Sequence, residues 1–439
     1  MTTMTSLFAA AEAEVPTLCR DLIRIDTQNW GDNTANPERP AAELIAAWLA
    51  EVGLESTILE SAPGRANLVA RIPGRDPSLP ALVVHGHTDV VPADASEWTV
   101  DPFAGEFRDG LLWGRGAVDM KNMNAMIVAV VRTLLRDGLV PRRDLIIAFF
   151  ADEEAGGVYG ARWMVQHHPH LFADASEAVS EVGGYSVDIR GQRVYLVQTA
   201  EKGMAWLRLI ARGTAGHGSQ LNPDNPVTRL AAAVARIGAH EWPQELPEAT
   251  RDLLRGVSDL TGVPFSAETY PQLLAELGSV AKFVGATLSN TSNPTLLSAG
   301  YKHNVIPSTA EAVVDCRTLP GEHENLMATI RELAGDGIEV RPEIASDAVE
   351  SPFSGRLVDT MSASLLAEDP GARILPYTLS GGTDNKSLAA LGIAGYGFAP
   401  LRLTGDLDFP AMFHGVDERV PVSALKFGTR VLGRFLIEA

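Results

Sequence analysis

Apolar and polar positions follow two different periods in the first part of the chain. Ala81-Leu82-Val83-Val84 and Leu145-Ile146-Ile147-Ala148-Phe149-Phe150 are unbroken apolar runs. Short runs of this kind, bounded by polar residues, predict strands over 81–84 and 144–151 that are buried on both faces. Between them the apolar residues recur at helical spacing and predict a helix over 124–135. Leu7, Phe8, Ala11, Val15, Leu18 and Leu22 predict an amphipathic first helix in the same way. This alternation predicts an α/β domain, a mixed sheet with helices on both faces. In such sheets ligand sites gather where strands end.

The pattern changes near Val194. Strands are predicted over 194–197 and 205–211, followed by a helix over 226–238, and strands resume over 295–298 and 311–316. The intervening stretch 241–283 is acidic and reads as a long loop. This region is expected to be a smaller α+β unit inserted into the first domain, because chemistry-bearing sequence returns after it. The expected division is 1–199 and 318–439 for the main domain and 200–317 for the insertion.

Candidate chemistry sits at the ends of the apolar runs. His85-Gly86-His87-Thr88-Asp89 follows the first. In extended backbone His87 and Asp89 face the same side, so one can bind a metal while the other orients it. Asp119 follows the glycine-rich Trp113-Gly114-Arg115-Gly116 and precedes the predicted helix, a place that a helix-capping Asp also fills. Those glycines match neither phosphate-loop nor dinucleotide spacing. Asp152-Glu153-Glu154 leaves the second run; three acids starting from an interior strand repel unless cations or protons compensate them, whereas an acidic surface turn is the plainer alternative. Glu181 stands beside Gly183-Gly184, with Asp174, Glu177 and Asp188 as nearby alternatives, and His414 lies in Phe413-His414-Gly415-Val416-Asp417-Glu418. His87, Asp119, Glu154, Glu181 and His414 form an imidazole and carboxylate set without thiolates. That donor set suits a catalytic zinc pair or a similar divalent ion better than a structural zinc.

Composition narrows the class. The 439 residues are 46% hydrophobic and 21% charged, with a formal charge of −19. That balance argues against nucleic-acid or anionic-membrane partners. The segment 1–16 has no basic residue ahead of its apolar positions and so lacks the start of a signal peptide. Two cysteines, Cys19 and Cys316, cannot make a disulfide framework, and a cytoplasmic setting is expected.

Taken in order, these motifs resemble the M20 zinc peptidases, a family that includes aminoacylases, succinyl-diaminopimelate desuccinylases, carnosinase-like dipeptidases and glutamate carboxypeptidases. The resemblance extends over nearly the whole chain. It implies a zinc-binding α/β domain interrupted by a lid or dimerisation domain. It further implies that His87, Asp119 and Glu181 hold one ion and that Asp119, Glu154 and His414 hold the other. Asp89 would orient His87, Glu153 would be the general base, and the Asp119–Met120 peptide would be cis. Zinc is expected, with cobalt or manganese as alternatives. His217, in Gly216-His217-Gly218-Ser219, resembles the histidine that reaches a neighbouring subunit's site and stabilises the oxyanion, so a homodimer is implied. Asn304, Arg317, and Gly382 with Thr383 in Ser380-Gly381-Gly382-Thr383-Asp384 resemble substrate-binding positions. Asp384 is left between capping and orienting.

The expected activity is hydrolysis of an amide bond in dipeptides or N-acyl amino acids that carry a free carboxylate. Desuccinylation or acetylornithine deacetylation is the alternative within the class. A metal-binding protein with a decayed site is the alternative outside it.

Overall fold

A computed structural model of the chain describes residues 7–31, 34–404 and 407–439. Residues 1–6, part of the N-terminal segment read above, lie outside the described residues. The strand Ala81–His87 is buried along its whole length. It lies between Leu145–Phe150 and Ala175–Ser180 and runs parallel to both. A strand covered on both faces can bury every side chain, which is why the run shows no alternation. Ala394–Gly397 adds a further parallel partner beside Ala175–Ser180. The strands Ser56–Ala62 and Arg65–Ile72 extend one side of this ten-stranded mixed sheet in antiparallel fashion, and Gln192–Glu201 continues the other.

The helix Lys121–Arg136 is buried from Lys121 to Leu134. It packs against Ala9–Ile23 and the C-terminal helix Val422–Glu438. Its start approaches the central strand closely: a Cβ on Gly86 would lie 2.2 Å from Asn124 Oδ1 and 2.5 Å from Met120 Cε. Any larger residue there would have to push the Asn124 and Met120 side chains aside.

A separate four-stranded antiparallel sheet has the order Thr291–Ala299, Thr309–Thr318, Gly203–Arg212, Ile338–Ser346. The helices Pro226–Gly238 and His323–Ala334 cover one of its faces. Two expectations need correction. The inserted sheet does not end at 317, because Ile338–Ser346 pairs with Gly203–Arg212 and carries the unit past the expected border. Nor is 241–283 a loop: it contains the helices Glu248–Thr261, Tyr270–Ala275 and Ala281–Gly285. Leu253, Leu254, Val257, Leu273 and Val284 join the core of the main domain, so this stretch packs on the large sheet although it falls within the insertion in sequence. Its many acids line the outer side of an amphipathic helix, which hid the apolar stripe.

Candidate active site

Three adjacent parallel strands deliver their carboxyl ends to one place. His87 ends the first, Glu153 and Glu154 follow the second within a short 3-10 turn (Glu153–Ala155), and Glu181 follows the third. Asp119 enters from the turn before Lys121–Arg136, across an Asp119–Met120 peptide that is cis. His414 arrives from the loop ahead of the C-terminal helix.

The Asp119 carboxylate stands between two imidazoles. Its Oδ1 is 3.1 Å from His87 Nε2 and its Oδ2 is 3.4 Å from His414 Nε2. Glu181 Oε2 lies 3.6 Å from the same His87 nitrogen, and Glu154 Oε2 lies 3.1 Å from the same His414 nitrogen. Potential ligand atoms of His87, Asp119 and Glu154 fall within 4.8 Å of one another, as do those of His87, Glu153 and Glu181. The nearby alternatives to Glu181 are engaged elsewhere: Asp174 with Arg71, Glu177 with Arg143, and Asp188 with the Gly191 amide.

The electrostatics are those of acids crowded out of water. Burial pushes the Glu154 carboxyl up to about 7 and that of Glu181 up to about 8, and the Asp119 charge adds to both. Burial also raises Glu153 well above the carboxylate range. Hydrogen bonds that His414 donates to Asp119 and then to Glu154 raise its imidazole to about 10. For Asp119, burial disfavours the charge, but hydrogen bonds from His414 and His87 outweigh it and hold the carboxyl low.

Asp89 does more than face His87. His87 Nδ1 lies 2.9 Å from the Asp89 carbonyl oxygen and 3.4 Å from its carboxylate. The two carboxylate oxygens accept the backbone amides of Glu153 and Glu154 at 3.1 and 3.2 Å. Asp89 thereby ties the first strand end to the turn after the second. Asp152 points away from the cluster: it accepts from Asn29, the Tyr159 amide and Arg65, which also pairs with buried Glu38. Of the three acids in that run, one is scaffold and two face the site. His85 Nε2 bonds Asn385 Oδ1 at 2.9 Å and stays outside the cluster.

A cleft of about 320 Å³ lies over these groups between the main domain and the inserted sheet. Glu153, Glu154, His414, Arg317, Gly382 and Thr383 line it. Arg317 gives Nε and Nη2 to Asp315 at 2.8 and 3.1 Å, which leaves Nη1 outside that pair. Thr383 donates both its amide and its hydroxyl to buried Glu201, at 2.8 and 2.6 Å. Those two donors are spent on shaping the loop. His217 and Asn304 do not line this cleft. They sit exposed on a small ribbon, where the Gly218 amide donates to the Asn304 carbonyl at 2.9 Å.

Two further buried acids, Glu201 and Glu418, support the site from behind. Glu418 accepts from Arg115, Gly116, Val118 and Asp119. Its proximity to His414 in the chain was the one available signal.

The chain is 30% identical to the N-fatty-acyl-amino acid synthase/hydrolase of Bos taurus, over 83% of this chain and 75% of that protein. It is 27% identical to human aminoacylase-1, over 99% of this chain and 97% of the relative. The fold matches that of an M20 family metallo-carboxypeptidase from Sulfolobus solfataricus with a TM-score of 0.76 at 18% identity, covering 96% and 98% of the two chains. The model of peptidase family M20/M25/M40 matches residues 83–438, the span that holds both imidazoles and all the clustered carboxylates, and the chain belongs to that family.

Proposed function

We propose that this protein hydrolyses the amide bond of N-acyl amino acids or dipeptides with the help of two divalent ions. The observation that carries the reading is the Asp119 carboxylate set between His87 and His414, each imidazole with its own glutamate. The donors fit such ions: three carboxylates and two imidazoles converge, among the described residues no lysine or arginine forms an ion pair with them, and Glu154 Oε1 is buried with no hydrogen-bond partner. His87, Asp119 and Glu181 would hold one ion; Asp119, Glu154 and His414 would hold the other. Zinc is the expected metal, with cobalt or manganese compatible with the same donors. Such ions supply Lewis acidity and lower the pKa of water at the site.

The protein's own groups then divide the work. Arg317 binds the substrate carboxylate through the part of its fork that Asp315 leaves free. Glu153, half-buried in the cleft and with its carboxyl raised, takes the proton of the attacking water and returns it to the leaving nitrogen. Asp89 fixes the Glu153–Glu154 turn through their amides and so sets the distance between base and substrate. The exposed position of His217 and Asn304 fits delivery from a second copy, with the partner subunit's His217 donating to the developing oxyanion. Among the described residues no helix is long and apolar enough to cross a membrane.

The test is a substrate panel of N-acyl amino acids and dipeptides with the zinc- and cobalt-loaded protein. The reading expects hydrolysis that requires the free carboxylate and disappears with a chelator. Activity confined to succinyl-diaminopimelate or acetylornithine would favour the biosynthetic alternative, and no hydrolysis would favour a binding protein.

A further inference from the structure

The two faces of the inserted sheet carry different chemistry. One packs Ala205, Leu207 and Leu209 against the covering helices. The other is charged over most of its length: Arg208 pairs with Glu311 and Glu343, and Arg212 with Glu339. That pattern breaks at the end overhanging the cleft. There Met204 and Trp206 stand on the central strand, with Ile344 beside Trp206 on its neighbour. Trp206 is 37% exposed, and Val158, 45% exposed, faces the same cleft from the main domain. Exposed apolar side chains at the mouth of a cavity mark where a ligand buries apolar surface.

Strand register relates this shelf to the carboxylate-binding position. Met204 pairs with Arg317, and Trp206 with Asp315. Trp206 is therefore two residues farther along the same face, about 7 Å from the level of Arg317. A substrate whose carboxylate meets Arg317 carries its side chain on the adjoining carbon. A leucine, methionine or phenylalanine side chain spans that reach, and alanine does not. A charged side chain laid on Met204, Trp206 and Ile344 would lose its water and gain no ion pair from any of the three.

We propose that Trp206, with Met204 and Ile344, selects substrates whose amino-acid part bears a large apolar side chain. The inference rests on the amide-hydrolase reading above and narrows its substrate class, away from substrates whose amino-acid part ends in a charged group.

The experiment compares kcat/KM for the N-acetyl derivatives of phenylalanine, leucine, alanine and glutamate in the wild type, Trp206→Ala and Trp206→Phe. The wild type should favour the phenylalanine and leucine derivatives over the alanine derivative by about tenfold or more. Trp206→Ala should bring that ratio close to one, and Trp206→Phe should keep most of it. Calorimetry of L-phenylalanine binding gives a readout without turnover, with affinity about tenfold weaker in Trp206→Ala. Unchanged selectivity or affinity in Trp206→Ala, or a wild-type preference for the glutamate derivative, overturns the shelf while the hydrolase reading stands. No hydrolysis of any member overturns the hydrolase reading and the inference with it.

Discussion

Glu418 accepts the backbone amide of Asp119 at 3.0 Å. The same carboxylate takes the amides of Val118 and Gly116 at 2.6 and 3.0 Å and a guanidinium nitrogen of Arg115 at 2.8 Å. Glu418 and Arg115 are both buried, at 0% and 3% exposure. The segment that supplies His414 therefore also holds the turn that presents Asp119. One imidazole and the carboxylate it faces are positioned by the same stretch of chain.

Glu418→Ala would leave the Arg115 guanidinium buried without its partner and three amides without an acceptor. Breaking a buried ion pair of this kind costs about 3–5 kcal/mol. Denaturant unfolding of the metal-free protein should show that loss, and Glu418→Gln should show a smaller one. A change below about 1 kcal/mol in the alanine variant would mean that the turn holds itself.

Glu153 is expected to act on protons rather than to hold metal. Glu153→Gln should lower kcat by at least about 10²–10⁴ while metal content stays at the wild-type level. Loss of metal together with activity would instead place Glu153 among the ligands, an outcome its closeness to His87 and Glu181 makes worth checking.

Asp89→Asn removes the charge opposite His87 and one of two equivalent acceptors for the Glu153 and Glu154 amides. Metal affinity should fall about 10- to 100-fold, the usual effect of losing a group that orients a ligand. Competition against a chromogenic chelator measures it. Unaltered affinity would show that His87 is oriented by the Asp89 carbonyl alone.

The site was more legible than its supports. His87, Asp119, Glu154, Glu181 and His414 each carry a local signal, a strand end or a glycine turn beside an imidazole or acid, and the fold brings them into one cluster. The roles of Glu201 and Glu418 are set by partners, Thr383 and Asp119, that lie far away in the sequence. Periodicity reports which face of an element is apolar and is silent on which buried polar groups meet. The same limit explains the inserted unit. Gly203–Arg212 was readable as a strand, but its pairing with Ile338–Ser346 crosses a helix and is a tertiary fact. In 241–283 the charges of Glu248, Asp252 and Asp259 masked the stripe formed by Leu253, Leu254 and Val257.

The titrations predict opposite pH responses with and without metal. His414 binds its proton up to about 10 in the folded chain, so its contribution is complete below the ordinary imidazole value and lost as pH rises through about 10. Glu154 and Glu181, raised to about 7 and about 8, also hold protons that the unfolded chain has released, which acts in the same direction. The chelated protein should therefore lose thermal stability from roughly pH 5 upward. Metal needs deprotonated ligands, so its stabilisation grows over that range. The gap in melting temperature between loaded and chelated protein should widen with pH. A gap that is constant or narrows contradicts the assignment of these groups as ligands.

The most direct test of the two-ion amide hydrolase is a titration of the metal-free protein with zinc, following hydrolysis of N-acetylphenylalanine and bound metal in the same samples. The account predicts that activity climbs to a plateau at about two ions per chain and that His414→Ala plateaus near one with little turnover. Full activity at one ion per chain, or no hydrolysis at two, would contradict it.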